Sequence, residues 1–321
     1  MDSPTDISVL VTTYNQDESA LAFTLSSIMR QDCNDIQVVI ADDCSRVDPT
    51  PCVRHLFDAY GFANYEIVRA KENLGTVANI AQGLDVALGR VVKPISPGDA
   101  LFSSSTLSHI LAFHRETSFQ IGFGGIVSYL PDGSFYPFEA PQELGLYQAS
   151  HQDCNAILRA HVLDADWIPG ASLFYEREFM QSYLHELSNR AHVRYCEDFA
   201  STLCAADNIP IGYLGERVLW YEMGTGISTS GGNESVRRMY RDHRNFYRYL
   251  QDRVPDKKLA NQAMRKFSLR EFVALHTPFY RLAQRLKGAQ YSGKNEFDAS
   301  GHPEETGFFK LCKNDANAHA S

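Results

Sequence analysis

Several things are scarce in this 321-residue sequence, and each scarcity closes a route. No stretch approaches the ~20 consecutive apolar residues that a membrane-spanning helix needs. Basic residues are outnumbered, 30 Lys and Arg against 39 Asp and Glu, so a net charge of −9 offers no global field for nucleic acid. The seven cysteines (Cys33, Cys44, Cys52, Cys154, Cys196, Cys204 and Cys312) are odd in number and never spaced C-x-x-C. That speaks against zinc and suits a reducing compartment. No G-x-G-x-x-G follows the first apolar run and no G-K-[ST] occurs, which disfavours dinucleotide and P-loop sites. The opening MDSPTDISVLVTTYNQ carries acids where a signal peptide needs bases. The expectation is a cytoplasmic protein, with the inner face of the cell membrane left open.

What is present is apolar content of 44%, enough for one large core with or without a small appendage. Short β-branched runs, apolar on both faces, occur at 7–13 (ISVLVTT), 36–40 (IQVVI), 65–69 (YEIVR) and 90–95 (RVVKPI). Such runs predict buried parallel strands. Between them, Leu21, Leu25, Ile28 and Met29, and then Val77, Ile80, Ala81, Leu84 and Leu88, fall on single helix faces. Alternating units of this kind predict an α/β fold, a mostly parallel sheet with helices on both faces. Further strands are expected at 119–130 and 135–138, joined by an Asp132-Gly133 turn, and at 209–214. Residues 139–170 read as loops and short helices. Helices are expected at 176–188 and 197–206, then a flexible loop at 224–233. A helical extension follows over 231–288, and the polar tail from 289 is expected to be loosely ordered.

Ligands of open parallel sheets bind beyond the carboxyl ends of the strands. The first strand ends in Thr12-Thr13-Tyr14-Asn15, the second in Asp42-Asp43-Cys44-Ser45, the fourth in Ser96-Pro97-Gly98-Asp99. Hydroxyls and carboxylates on one sheet edge suit a nucleotide and a divalent cation. Any one of these residues alone could equally cap a helix or a turn.

Six segments stand in order: ISVLVTTYNQ, VVIADDCS, NLGTVANIAQGLDVALGRVVKPISPGDALF, GASLFYER, YCEDFAST and WYEMGTGISTS. In that order the chain resembles the family 2 glycosyltransferases, inverting enzymes of GT-A (Rossmann-like) fold, over roughly residues 5–230. The resemblance implies a nucleotide pocket lined by Thr12, Thr13 and Tyr14, with Asp42 or Asp43 on the base or ribose. Asn73, Gly75 and Asn79 fall on a matching Asn–Gly–Asn segment, although Ala78 stands where an arginine often precedes the last Asn. The family commonly reads D-x-D-D where this chain has Ser96, Pro97, Gly98 and Asp99. Ser96 and Gly98 would then face the donor, and Asp99 alone is left to hold Mg²⁺ or Mn²⁺. Mg²⁺ commonly binds through one or two carboxylates plus phosphate and water, so one acid can serve. Inverting transfer needs a base for the acceptor hydroxyl. Glu197-Asp198 matches the family's acid pair, with Asp198 as base and Glu197 orienting. Trp167, Gly170, Ala171 and Ser172 lie where the family builds its acceptor pocket. Glu222 replaces an expected base ahead of the 224–233 loop, and Arg237 and Arg238 are candidate diphosphate contacts in its place.

The resemblance implies a nucleotide-sugar donor, a UDP sugar first among them. It also implies a saccharide acceptor, polyprenyl-diphosphate-linked, in bacterial surface-polysaccharide (O-antigen, capsule or exopolysaccharide) synthesis. Residues 264–288 set Lys and Arg among Phe267, Phe272, Leu275, Phe279, Leu282 and Leu286. That pattern fits either a helix lying on anionic lipid or a terminal helix pair packed on the core. Two other readings stay open. A sugar-phosphate nucleotidyltransferase needs a Gly-rich basic loop after the first strand, and residues 12–17 offer neither glycine nor base. A non-catalytic member that binds a nucleotide sugar or a partner would explain the missing acids, against the retained Glu197-Asp198.

Overall fold

The first strand is apolar on both faces because both faces are covered. β1 (Ile7–Thr13) lies between β2 (Ile36–Asp42) and β4 (Val91–Ile95), parallel to each. Its residues alternate: Ile7, Val9 and Val11 enter one buried cluster and Leu10 enters the other. That is the two-residue period of a strand spent on two cores. β3 (Tyr65–Arg69) joins β2 in parallel at the sheet edge. These relationships come from a computed structural model, which describes residues 5–33, 35–130, 133–138, 140–223, 233–276 and 297–319.

Beyond β4 the sheet becomes mixed. β8 (Leu173–Glu176) is antiparallel to β4 and to β6 (Ile121–Tyr129), while β9 (Gly212–Glu222) runs parallel to β6. The short β5 (Ala100–Leu101) pairs with β9, and β7 (Phe135–Phe138) pairs with β6. The order is β3-β2-β1-β4-β8-β6-β9-β5. One face is covered by α1 (Glu18–Met29), α2 (Thr50–Tyr60) and α4 (Thr106–Thr117), whose buried residues share a cluster. The other face carries α3 (Thr76–Val86), α6 (Cys154–Arg159), α7 (Arg177–Asn189) and α8 (Phe199–Ala206). α9 (Asn233–Arg253) and α10 (Lys257–His276) pack on that same cluster through Phe246, Tyr247, Leu250 and Phe267. The one-turn α5 (Gly145–Gln148) precedes α6.

The structure differs from the sequence expectation in four places. α2 was not expected, yet Val53, Leu56 and Phe57 are buried at i, i+3, i+4, and Gly61 closes the helix at φ 62°. The strand expected at 209–214 begins at Gly212 and continues to Glu222, because β6 offers it a long parallel partner. The tail is corrected as well. α11 (Pro303–His319) buries Phe309, Cys312 and Ala316, a stripe too narrow to lift the polar average of its segment. The Phe309 ring meets Phe23, Tyr129, Phe135 and Trp220 at 5.0–5.3 Å, and Arg30 pairs with Asp315 at 2.5 Å. Finally, the run at 65–69 was expected as a buried strand, but as the edge strand β3 its residues are half-buried or exposed. The loop expected at 224–233 lies almost wholly outside the described residues, as do 277–288 and Asp132.

Candidate active site

The ends of β1, β2 and β4 converge as a parallel sheet requires. The chain leaves β1 through Asn15 at φ 53° and leaves β2 through Cys44 at φ 62°, left-handed turns that most side chains avoid. Asn15 N–H donates to Ser45 Oγ at 2.8 Å, and Arg46 N–H donates to Asn15 Oδ1 at 2.8 Å, so the two turns are sewn together. Between them opens a depression of 390 Å³ lined by Thr13, Asn15, Asp17, Ser45, Arg46 and Asp48, among others. Tyr14 stands exposed beside it at 42%. Thr12 Oγ1 and Ser96 Oγ approach to 3.3 Å, which joins the end of β1 to the turn after β4. A larger cavity of 990 Å³ lies along β6 and β9 and is lined by none of the residues singled out above.

Asp42 and Asp43 are both engaged by the protein. Asp42 is fully buried and accepts from Ser45 N–H at 3.0 Å and Ser45 Oγ at 2.5 Å, and pairs with Arg69 Nε at 3.0 Å. Asp43 accepts from Leu74 N–H (2.5 Å), Gly75 N–H (2.9 Å) and Asn73 Nδ2 (2.9 Å), so it anchors the turn that opens α3. Burial raises the Asp43 carboxyl, partly offset by the Leu74 and Gly75 N–H groups. Asn79 is buried too; its amide donates to Ala41 O at 2.9 Å and accepts from Gln82 at 2.5 Å, tying α3 to β2.

At the end of β4, Asp99 is 3% exposed and its Oδ1 accepts the Glu222 N–H at 2.9 Å. The glycine before it, Gly98, has φ 96°. Beneath lies Lys93, fully buried, whose Nζ donates to Pro94 O at 2.8 Å and Ala171 O at 2.6 Å. Burial lowers the Lys93 ammonium to about 7 and lifts the Asp99 carboxyl to about 8; their mutual attraction works against both shifts.

Glu197 and Asp198 come together at the start of α8, where Asp198 is the N-cap residue. Burial first and then the Asp198 carboxylate hold Glu197 well above the ordinary carboxylate range, and burial holds Asp198 above it against the Asp198 and Phe199 N–H groups. Asp242, on α9, adds to both shifts. It also fixes the loop before them, accepting from Arg194 N–H at 3.0 Å and Tyr195 N–H at 2.6 Å. Arg194 in turn donates to Asn73 O (2.7 Å) and Leu74 O (3.2 Å), and its carbonyl accepts from Val77 N–H at 2.9 Å. A Cβ on Gly75 would lie 2.7 Å from that carbonyl, and φ 89° excludes one in any case. The Asn73–Gly75 turn and the loop carrying the acids are therefore one interlocked unit.

Of the expected acceptor residues, Gly170 meets the same acids. Gly170 to Ser172 form a single 3₁₀ turn, and a Cβ on Gly170 would lie 2.1 Å from Glu197 Oε1. Ala171 contributes its carbonyl to Lys93, and the buried Ser172 donates to Pro169 O at 2.7 Å. Trp167 packs on Phe199 and His161 at 5.0 and 5.7 Å, with part of its surface exposed. Arg238 pairs with Glu234, and Tyr14 and Tyr195 act on it electrostatically; Arg237 is exposed.

Sequence reading passed over Arg69, Lys93, Arg194 and Asp242. Three carried a signal. Asp242 interrupts the apolar stripe of α9, Lys93 interrupts an apolar strand, and Arg69 ends the strand beside Asp42-Asp43. Arg194 carried none, because its partners are 120 and 121 residues away.

Comparison with known proteins agrees with this geometry. Residues 8–158 match the model of glycosyl transferase family 2. No curated protein matches significantly. Among solved structures, Staphylococcus aureus TarS 1–349 in complex with UDP-GlcNAc is similar at TM-score 0.57 and 18% identity, covering 98% of this chain and 82% of that one. A longer TarS chain gives TM-score 0.53 and 17% identity, covering 86% of this chain; the present chain spans only 44% of it. The mannosyltransferase PcManGT from Pyrobaculum calidifontis, in complex with GDP-Man and Mn²⁺, gives TM-score 0.53 and 16% identity, covering 99% and 87%. At such identities these likenesses speak for the fold. Residues 8–158 thus match a family 2 glycosyltransferase domain, and the chain as a whole shares the GT-A fold of these structures.

Proposed function

We propose that the chain moves a sugar from a nucleotide-sugar donor to a hydroxyl of a saccharide acceptor, with inversion at the anomeric carbon. The observation that carries this is the Glu197-Asp198 pair: two carboxylates with raised proton affinity, pinned by Asp242 and abutted by Gly170. Asp198 takes the acceptor hydroxyl proton as that oxygen bonds to the anomeric carbon. The bond from that carbon to the nucleoside diphosphate breaks, and its electron pair leaves with the phosphate. Glu197 orients the acceptor. The donor's nucleotide lies over Thr12, Thr13 and Tyr14, beside the 390 Å³ depression that Thr13 lines, and Asp42, Asp43, Asn73, Gly75 and Asn79 brace the neighbouring turns. Arg238 and, beyond it, Arg237 approach the diphosphate side. TarS with UDP-GlcNAc and PcManGT with GDP-Man support a nucleoside-diphosphate donor, and a UDP sugar is the first to test.

A divalent cation fits the donor set at the end of β4. Hydroxyl and carboxylate oxygens are the hard ligands that Mg²⁺ and Mn²⁺ select. Among the described residues no three His, Cys, Asp or Glu side chains converge on one point, so a bound cation would rely on substrate phosphate oxygens and water besides the protein's acid. Asp99 is the acid assigned to it, and the cation would neutralise the leaving diphosphate.

The acceptor is proposed to be lipid-linked, with the protein at the inner membrane face. No helix among the described residues is long and apolar enough to cross a membrane. α10 does expose Leu269 at 64% and Phe272 at 59%, next to the exposed Arg265 and Lys266.

The test is a thermal-shift panel of UDP, GDP, dTDP and CMP, each with Mn²⁺ or EDTA. A ligand at a hundredfold excess over its Kd stabilises by about 2.7 kcal/mol. One nucleotide is expected to raise the melting temperature, more with Mn²⁺ than with EDTA. No shift under any condition would move the weight to a non-catalytic partner-binding role.

A further inference from the structure

Position 98 has no side chain, and a carboxylate from another strand lies over it. A Cβ built on Gly98 would stand 2.3 Å from Glu222 Oε2 and 3.0 Å from its Cδ. The Glu222 carboxylate therefore occupies the volume that an acidic side chain at 98 would enter. Both backbones are fastened there. Glu222 N–H donates to Asp99 Oδ1 at 2.9 Å, Gly98 N–H donates to Thr24 Oγ1 at 3.0 Å, and the Tyr129 hydroxyl donates to Gly98 O. Exposure separates the two acids. Asp99 is only 3% exposed and has one oxygen committed to a backbone N–H, whereas Glu222 is partly exposed. Ser96 and Thr12 place hydroxyls at the same strand ends.

We propose that Glu222 presents a second carboxylate, beside that of Asp99, to the cation on the donor diphosphate, replacing from β9 the acid absent at position 98. Asp99 holds Glu222 in place through its backbone. Resting on the nucleotide-sugar reading above, this assignment resolves two departures at once: the acid missing after β4 and the acid standing where a base was expected before the 224–233 loop. A cation between carboxylate and diphosphate turns Glu222 from a repulsive neighbour of the phosphates into a ligand.

The experiment reads bound Mn²⁺ directly, by loss of the free-ion EPR signal on adding full-length protein to Mn²⁺ with UDP, and separately with GDP. The wild type is expected to take up Mn²⁺ with at least one nucleotide. Glu222→Gln should weaken that uptake at least tenfold, with its unliganded melting temperature and its nucleotide shift in EDTA preserved. Glu222→Asp, which keeps the charge, should retain more uptake than Glu222→Gln. Undiminished uptake by Glu222→Gln overturns the assignment. A wild type that takes up no Mn²⁺ yet is stabilised by nucleotide in EDTA also overturns it, while leaving the transferase reading in place. A wild type stabilised by no nucleotide under any condition removes both.

Discussion

The site contains two adjacent acid pairs built on opposite plans. Asp42 and Asp43 are surrounded by donors: Ser45, Arg69, Asn73 and the N–H groups of Leu74 and Gly75. Glu197 and Asp198 face burial and Asp242, and Glu197 the Asp198 charge as well, which push their proton affinity up against their own backbone N–H groups. Satisfied carboxylates hold loops together; carboxylates under electrostatic pressure take protons. On the proposed reading, two stretches that look alike in sequence, Ala-Asp-Asp-Cys and Cys-Glu-Asp-Phe, serve scaffold and chemistry respectively, although burial raises the Asp43 carboxyl too.

The sharpest way to break this contrast is Asp198→Asn. A positioned general base contributes on the order of 10²–10⁴-fold to rate, and transfer should fall by that amount. The melting temperature should hold or rise, because the substitution removes one of two like charges from a half-buried site. Transfer by the variant at the wild-type rate, once a donor–acceptor pair is known, would sink the assignment of Asp198. Asp43→Ala should behave in the opposite sense. It strands the N–H groups of Leu74 and Gly75 and the amide of Asn73, and should cost about 1–3 kcal/mol in denaturant unfolding. An Asp43→Ala protein as stable as the wild type would mean that those donors find water instead.

How much of this was legible beforehand follows from what a local pattern can register. The buried strands at 7–13 and 36–40 announced themselves, since double-sided burial demands unbroken β-branched runs, whereas the similar run at 65–69 forms a half-exposed edge strand. The acids at 42, 43, 197 and 198 were found by their order along the chain. Which pair was spoken for could not be found that way. The donors that fix Asp43 lie 30–32 residues along the chain, and Asp242 reaches Arg194 and Tyr195 across 48 and 47 residues. The space yielded by Gly98 and Gly170 is likewise a property of contacts between distant segments. α11 escaped for a different reason: its three buried apolar residues are diluted by fourteen others in a polar helix.

The raised acids make a pH prediction with a definite sign. The base works deprotonated, so kcat/KM should rise with pH through a limb above the ordinary carboxylate value, and low pH should silence the enzyme. Asp242→Asn keeps an oxygen for the Arg194 and Tyr195 N–H groups and removes a charge that disfavours ionisation of both acids. Its limb should move to lower pH, by roughly 0.5–1 unit. A limb that stays put would show that Asp242 acts only through the backbone.

The smallest expected effect sits at Gly170. Its α-carbon faces the Glu197 carboxylate so closely that an added methyl would lie 2.1 Å from Oε1. The neighbour is the far end of a flexible side chain, so Glu197 can swing aside, and Gly170→Ala should change stability by less than about 1 kcal/mol. The displaced carboxylate can no longer orient the acceptor, so kcat/KM for the acceptor should fall several-fold while nucleotide binding in the thermal-shift panel stays unchanged. An equal loss of donor and acceptor affinity would place Glu197 on the nucleotide side of the site, and the division between a scaffold pair and a chemical pair would have to be redrawn with only Asp198 in the second.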